Sequence, residues 1–493
     1  MLIIIFFSEE LIIIIIIFLC ITIIITIIII IIIITTIIII IFINLDSDKN
    51  PDEYAMLQRL GVKLIHVPSL LENIKSSSST TTTTIPIKKV PHSQDGALVL
   101  YTSGTTGRPK GVMHNRAGLQ SAIQALAQAW EYSDKDRILH FLPLHHLHGV
   151  LNKLLCIMWA GGTIEFAKSA NTIQIWKRLA RETTENEQLT VFMAVPTVYA
   201  RMLEDVRKMK TNDKNDDKNA LTPSDVEKAV LAMKKMRLMA CGSAALPDPI
   251  MDQWLALSGH VLLERYGMTE IGMALSNPYK GIRRKGYVGS PLPFVECRIV
   301  GDDEKEITTP DQPGELRVKG PNVFNRYLNK QDATRDSFDK EGWFKTGDTA
   351  VFIEDFISTD KKGKIYKLLG RSSTDIIKSG GYKLSALEIE RELLAHPQIA
   401  EAAVIGKKDD VYGEVVTAFI VTRSSIDDIS FDKTMIIDPS SDSKITLEKM
   451  RKFLETRLAS YKQPRVYHIV PSIPRNHLGK VNKKSLSKDL GFE

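Results

Sequence analysis

Residues 101–111 read YTSGTTGRPKG, a run of glycines and hydroxyl side chains closed by a lysine, and the apolar stretch 97–100 leads directly into it. A strand feeding a loop of this composition is what capture of phosphate by backbone N–H groups requires. Gly104, Gly107 and Gly111 let the chain turn tightly and bring its amides close to an anion. Ser103, Thr105 and Thr106 add hydroxyl donors, and Lys110 supplies positive charge. The loop is not a Walker loop, since no Gly-Lys pair follows the first glycine at the Walker spacing. An exposed polar turn is the bland alternative for the same residues.

Six further segments follow in order: FLPLHHLHG at 141–149, CGSAALP at 241–247, ERYGMTE at 264–270, TGD at 346–348, GRSSTDIIKSGGYKLSALEIE at 370–390 and PRNHLGKVNKK at 474–484. From about residue 55 to the C-terminus, this ordered set resembles the adenylate-forming, AMP-binding acyl-CoA synthetases. The resemblance implies an α/β fold with a large N-terminal domain of layered sheets and helices and a small, mobile α+β lid at the C-terminus. It divides the chain into a hydrophobic segment at 1–50, an AMP-binding body at 51–370 and a lid at 371–493. Relatives carry a longer folded segment ahead of the phosphate loop, so the first subdomain reads as truncated.

The reaction so implied joins a carboxylic acid to the α-phosphorus of ATP, releases pyrophosphate, and lets the thiol of CoA displace AMP. Catalysis of the first step is mainly positioning and neutralisation of charge around the phosphates. On this resemblance Thr102, Ser103, Gly104, Thr105, Thr106, Gly107 and Lys110 cradle the β- and γ-phosphates. Gly242, Ser243 and Ala244 form a small-residue wall beside the purine, Tyr266 stacks on it, and Gly267 belongs to the same turn. Thr269 contacts the α-phosphate and Glu270 holds Mg²⁺, an ion satisfied by one or two carboxylates plus phosphate and water oxygens. Asp348 accepts the ribose hydroxyls, and Arg371 is the partner for ribose or phosphate at the domain junction. Lys480 is the lid lysine that bridges the attacking carboxylate and the α-phosphate, a solvated charge beside Lys483 and Lys484 being the alternative. Gly380, Gly381 and Lys383 serve the thioester step, after a rotation whose pivot falls among Ser372, Ser373 and Thr374.

The stretch 264–293, with 381–390 and 393–406, resembles the malonyl-CoA synthetase branch, which has mitochondrial members in eukaryotes. A dicarboxylic substrate needs a cation for its second carboxylate, because an unpaired buried charge is costly. The expected contacts for malonate or methylmalonate are Arg283 and Arg265, with His146 and Met268 at the acyl-pocket wall. His145, His146 and His148 have no local carboxylate or cysteine beside them, so a zinc site is not expected. Three other readings stand beside this one: a medium-chain or aryl acyl-CoA ligase, a truncated non-catalytic remnant on a membrane, and an adenylation domain loading a carrier protein.

At 493 residues with net charge +6 the chain has room for two or three domains. Its basic residues are interspersed with acidic ones, which gives no case for nucleic acid. Cys20, Cys156, Cys241 and Cys297 have no paired spacing and read as reduced thiols. Residues 11–43 are almost all isoleucine, long enough for a membrane helix and preceded by no Lys or Arg. A membrane anchor, an aggregation-prone tail and a translated non-coding stretch all fit that composition. Further on, 76–84 is a Ser/Thr linker and 207–219 an exposed charged insertion. Helices are expected at 117–130, 384–395 and 446–459, and strands at 191–196, 236–241, 261–263, 401–405 and 415–422.

Overall fold

The computed structural model describes residues 96–102, 109–167, 169–184, 187–210, 220–356, 362–422, 447–475 and 481–492, plus three short strands, Ile3–Phe6, Ile40–Phe42 and Lys63–His66. Those three strands pair in parallel. The rest of the isoleucine tract, the 76–84 linker and Cys20 lie outside the described residues. No helix among the described residues is long and apolar enough to cross a membrane.

At the centre is a seven-stranded sheet. Arg137–His140, Thr163–Phe166, Val191–Ala194, Leu238–Cys241 and Leu263–Met268 run parallel, and Gly272–Ser276 and Ser290–Pro291 continue antiparallel. Alternation along the strands explains why both faces are covered. Val191, Met193, Leu238 and Ala240 enter one apolar core, whereas Phe192, Ala194, Met239 and Cys241 enter the other. Strands buried on both sides require helices on both sides. In chain order the parallel strands lie 2-1-3-4-5, so the direction of winding reverses between Arg137–His140 and Val191–Ala194. Sheets of this order bind ligands beyond the carboxyl ends of their strands, at the reversal.

The flanking helices carry local signals. Arg116–Ala129 starts at Asn115, whose side chain accepts from the Gly118 amide, and it buries Leu119, Ala122, Ile123 and Leu126 on one face. Pro223–Lys234 has a reciprocal Thr222–Asp225 capping box. Helix Pro196–Lys210 runs through the first four residues of the expected insertion; 211–219 lie outside the described residues. Its amphipathic face, anchored by Met202 and Val206, keeps that segment helical despite its charges.

The phosphate-loop segment is a hairpin. Gly96–Thr102 pairs antiparallel with Lys110–Asn115, and Arg326–Tyr327 adds a third strand. Next comes an antiparallel sheet of Glu296–Val300, Gly314–Lys319, Phe344–Phe356 and Lys362–Arg371. The C-terminal unit holds strands Ile376–Ser379, Tyr382–Ser385, Ile399–Asp409, Gly413–Thr422 and Val466–Ile469 with helices Ala386–Leu394 and Leu447–Glu455. Its core surrounds Ile389, Leu393, Val404, Ala418 and Leu454. Among the contacts that join it to the body are Lys383 Nζ on Asp302 at 2.5 Å and Arg391 Nε on Asp248 at 3.4 Å.

Candidate active site

Of the predicted segments, 141–149, 241–247, 264–270 and 346–348 meet at the carboxyl ends of the parallel strands. Strand Leu263–Met268 carries Arg265, Tyr266, Gly267 and Met268, and the turn after it presents Thr269 and Glu270. A register shift at Tyr266/Gly267 kinks the pairing with Gly272–Ser276. A Cβ on Gly267 would lie 2.1 Å from the Gly272 carbonyl oxygen, so only glycine permits this closure.

Tyr266 is buried and donates its hydroxyl to Asp348 Oδ2 at 2.6 Å. Asp348 stands opposite Arg371 in the strand pair, and Arg371 Nε lies 3.3 Å from its other oxygen. Three expected nucleotide contacts therefore share one carboxylate. The Thr269 carbonyl is 2.7 Å from Nε2 of buried His114, and Glu270 Oε1 accepts the Tyr327 hydroxyl at 2.9 Å. Lys110 Nζ lies 4.7 Å from the centre of the same Tyr327 ring, which brings the end of the phosphate-loop hairpin beside Glu270. Burial lowers the His114 pKa, with the Thr269 hydrogen bond working against it.

Of the remaining loop residues, Thr102 ends its strand, half-buried, while Ser103, Gly104, Thr105, Thr106 and Gly107 lie outside the described residues. So does Lys480. Its neighbour Lys483 is described and is not a solvated charge: its amine is 2.7 Å from both Asp375 and Glu390.

Beyond strand Leu238–Cys241, Ser243 is held at φ +73°, a left-handed conformation costly for a residue with a side chain. Its Oγ lies 3.3 Å from Nδ1 of buried His148. Gly242 is glycine for a reason the sequence did not disclose. A Cβ there would stand 2.7 Å from the Arg265 guanidinium carbon. Arg265 is buried, and its Nη2 has no hydrogen-bond partner among the described residues. Ala244 is exposed next in the loop.

Arg283 departs from expectation. Its Nε, Nη1 and Nη2 donate to the carbonyls of Pro278, Val261 and Tyr279, at 3.1, 2.5 and 2.7 Å. Every side-chain nitrogen that would grip a carboxylate is committed to the backbone, so Arg283 is a clamp on its own loop. The resemblance of 264–293 to the malonyl-CoA synthetase branch made it look like a ligand.

The histidine cluster separates: the His145 and His146 rings lie 4.3 Å apart, tilted at 51° to each other, and His148 turns to Ser243. Among the described residues no three His, Cys, Asp or Glu side chains are grouped as metal ligands. Gly380 and Gly381, at φ +56° and +84°, form the two-residue turn between Ile376–Ser379 and Tyr382–Ser385, a pairing that needs positive φ at both positions. The Gly380 amide donates to the Tyr412 carbonyl, and Tyr382 stacks on Tyr461. The hairpin is held within the lid and, through Lys383, against Asp302; none of these contacts reaches Tyr266 or Asp348.

Comparison with known proteins agrees with this arrangement. Residues 35–328 match the model of the AMP-binding enzyme family and residues 388–480 that of the AMP-binding enzyme C-terminal domain. The first match starts well before residue 55, where the motifs alone placed it. The chain is 41% identical over 455 residues to the mitochondrial malonate–CoA ligase ACSF3 of Mus musculus, covering 88% of this chain and 71% of that one. It is 40% identical over 459 residues to the probable CoA ligase CCL8 of Humulus lupulus, covering 90% and 71%. Its structure resembles ATP-bound MatB from Rhodopseudomonas palustris, with TM-score 0.70 and 31% identity over 91% of this chain and 79% of that one.

Proposed function

The chain belongs to the AMP-binding enzyme family, and from that premise we propose that it is an ATP-dependent acid–CoA ligase whose acid is malonate or methylmalonate. One observation carries the choice of acid: Arg265, buried and lacking a partner at Nη2 among the described residues, directly precedes the Tyr266 that binds Asp348. A buried guanidinium is stable only beside an anion, and a second carboxylate on the substrate supplies it. The relatives whose names specify malonate support the same reading.

In this mechanism ATP lies along the carboxyl ends of the strands. The Tyr266 ring packs on adenine beside Gly242, Ser243 and Ala244, and Asp348, steadied by Arg371, accepts the ribose hydroxyls. Thr269 donates to the α-phosphate, while Thr102 and Lys110, with the intervening loop, receive the outer phosphates. Glu270 fits a magnesium ion, since a single carboxylate with Tyr327 fixing one oxygen leaves the other for a hard cation. The ion would neutralise phosphate charge. The acid lies with one carboxylate toward the α-phosphorus and the other toward Arg265, beside His146 and Met268. Lys480 reaches the reacting groups from the lid, and Gly380, Gly381 and Lys383 serve the later thioester step. We assign 51–370 to the body, 371–493 to the lid and 1–50 to a separate hydrophobic segment. A mitochondrial location follows the name of the mouse relative.

Pyrophosphate release with malonate, acetate and octanoate tests the proposal. Malonate should give the highest kcat/KM. A preference for octanoate would discard the dicarboxylate and leave a medium-chain ligase; release with none of the three would discard the enzyme.

A further inference from the structure

Residues His148–Leu155, HGVLNKLL, form a π-helix rather than an α-helix. In that winding backbone hydrogen bonds join positions five apart, which brings Lys153 near His148. Lys153 is wholly buried, and its Nζ donates to the Met193 carbonyl at 3.0 Å while lying 3.8 Å from the centre of the Phe141 ring. His140 Nε2 is 3.0 Å from the Gly149 carbonyl oxygen, His148 meets Ser243, and Gly242 packs on the Arg265 guanidinium. These contacts stitch the π-helix across the carboxyl ends of four parallel strands, over the reversal between Arg137–His140 and Val191–Ala194. The charged groups that act on His148, those of Arg265, Lys153 and His140, are all basic. Arg265 Nη2 and both amide atoms of the fully buried Asn152 lack hydrogen-bond partners among the described residues. A buried basic cluster with unspent donors and no acid of its own is built to receive an anion.

We propose that Lys153 is a specificity-determining residue of the acyl site: with Arg265, its amine supplies the positive charge that selects an acid bearing a second carboxylate. The inference rests on the dicarboxylate reading above and adds a residue to it. Burial holds the Lys153 amine well below its ordinary pKa, and burial likewise lowers His148 and His140. A carboxylate beside it stabilises the charged form of the amine.

The test compares malonate with acetate in the wild-type protein and in Lys153→Met, which keeps the volume of the side chain, and Lys153→Gln. The ratio of kcat/KM values for the two acids does not depend on the fraction of enzyme folded. It should fall about 10- to 100-fold in either variant, the effect of removing one buried charge. An unchanged ratio in variants of a malonate-preferring enzyme overturns the role of Lys153 and leaves the dicarboxylate reading standing. A wild-type enzyme without malonate preference removes that reading instead.

Discussion

Lys483 Nζ lies 2.7 Å from Asp375 Oδ1 and ties the segment that follows Lys480 to the residues that follow Arg371. Glu390 completes the arrangement at the same distance. Burial alone would lower the Lys483 pKa, but the two carboxylates outweigh it and hold the amine charged. Lys483→Met leaves both acids buried without their cation, which should destabilise the C-terminal unit by about 3–5 kcal/mol. It should also loosen the base from which Lys480 works. Adenylation, followed by pyrophosphate release, should fall about tenfold or more, while thioester formation from supplied acyl-adenylate falls less. Lys483→Arg should recover part of the loss. Equal effects on both half-reactions would show that the pair only holds the fold.

Asp348 serves two neighbours, the Tyr266 hydroxyl at 2.6 Å and Arg371 Nε at 3.3 Å. Asp348→Asn removes the charge that orients both and that suits two ribose hydroxyls. KM for ATP should rise about 10- to 100-fold, the cost of losing one or two charge-assisted hydrogen bonds. Tyr266→Phe keeps the ring and loses only the hydroxyl, so its KM should rise less. Steady-state kinetics at varied ATP decides this; an unaltered KM in Asp348→Asn would remove the carboxylate from nucleotide binding.

The sequence disclosed much of this architecture because it depends on local pattern. The apolar run 191–196 and the amphipathic stretch 117–130 read directly as strand and helix, whereas Gly380 and Gly381, expected only to serve the thioester step, proved to be a hairpin turn. What it concealed depends on contacts between distant residues. Gly242 looked like a purine wall, yet the side chain it accommodates is Arg265, more than twenty positions away. Lys153 stood unnoticed in an apolar helix because spacing cannot reveal a π-helical turn or total burial. Arg283 misled because its carbonyl partners come from a turn whose closure no periodicity signals. Lys483 looked like one solvated lysine among several, since its two acids lie about a hundred residues earlier.

Arg283 and Arg265 should part company under substitution. Arg283→Met strands three backbone carbonyls and should cost about 2–4 kcal/mol of stability without altering the preference for malonate over acetate. Arg265→Met should collapse that preference. Thermal melts together with the ratio of kcat/KM values separate the two effects. A lost preference in folded Arg283→Met would return that residue to the substrate site.

His140 gives a pH signature with a definite sign. It is buried, donates from Nε2 to the Gly149 carbonyl, and its pKa is lowered to about 4 by burial first and by Lys153 second. The folded state thus prefers the neutral ring. Its stabilising contribution is complete above the unfolded value near 6.5 and disappears as pH falls through about 4. Integrated over that window it amounts to at most about 3 kcal/mol. His140→Gln keeps a donor at the same depth and cannot titrate. Denaturant melts at several pH values should show wild type losing its advantage over the variant between about 6.5 and about 4, while the difference stays constant above that range. A difference independent of pH would mean that the ring is already solvated, and the Gly149 bond with it.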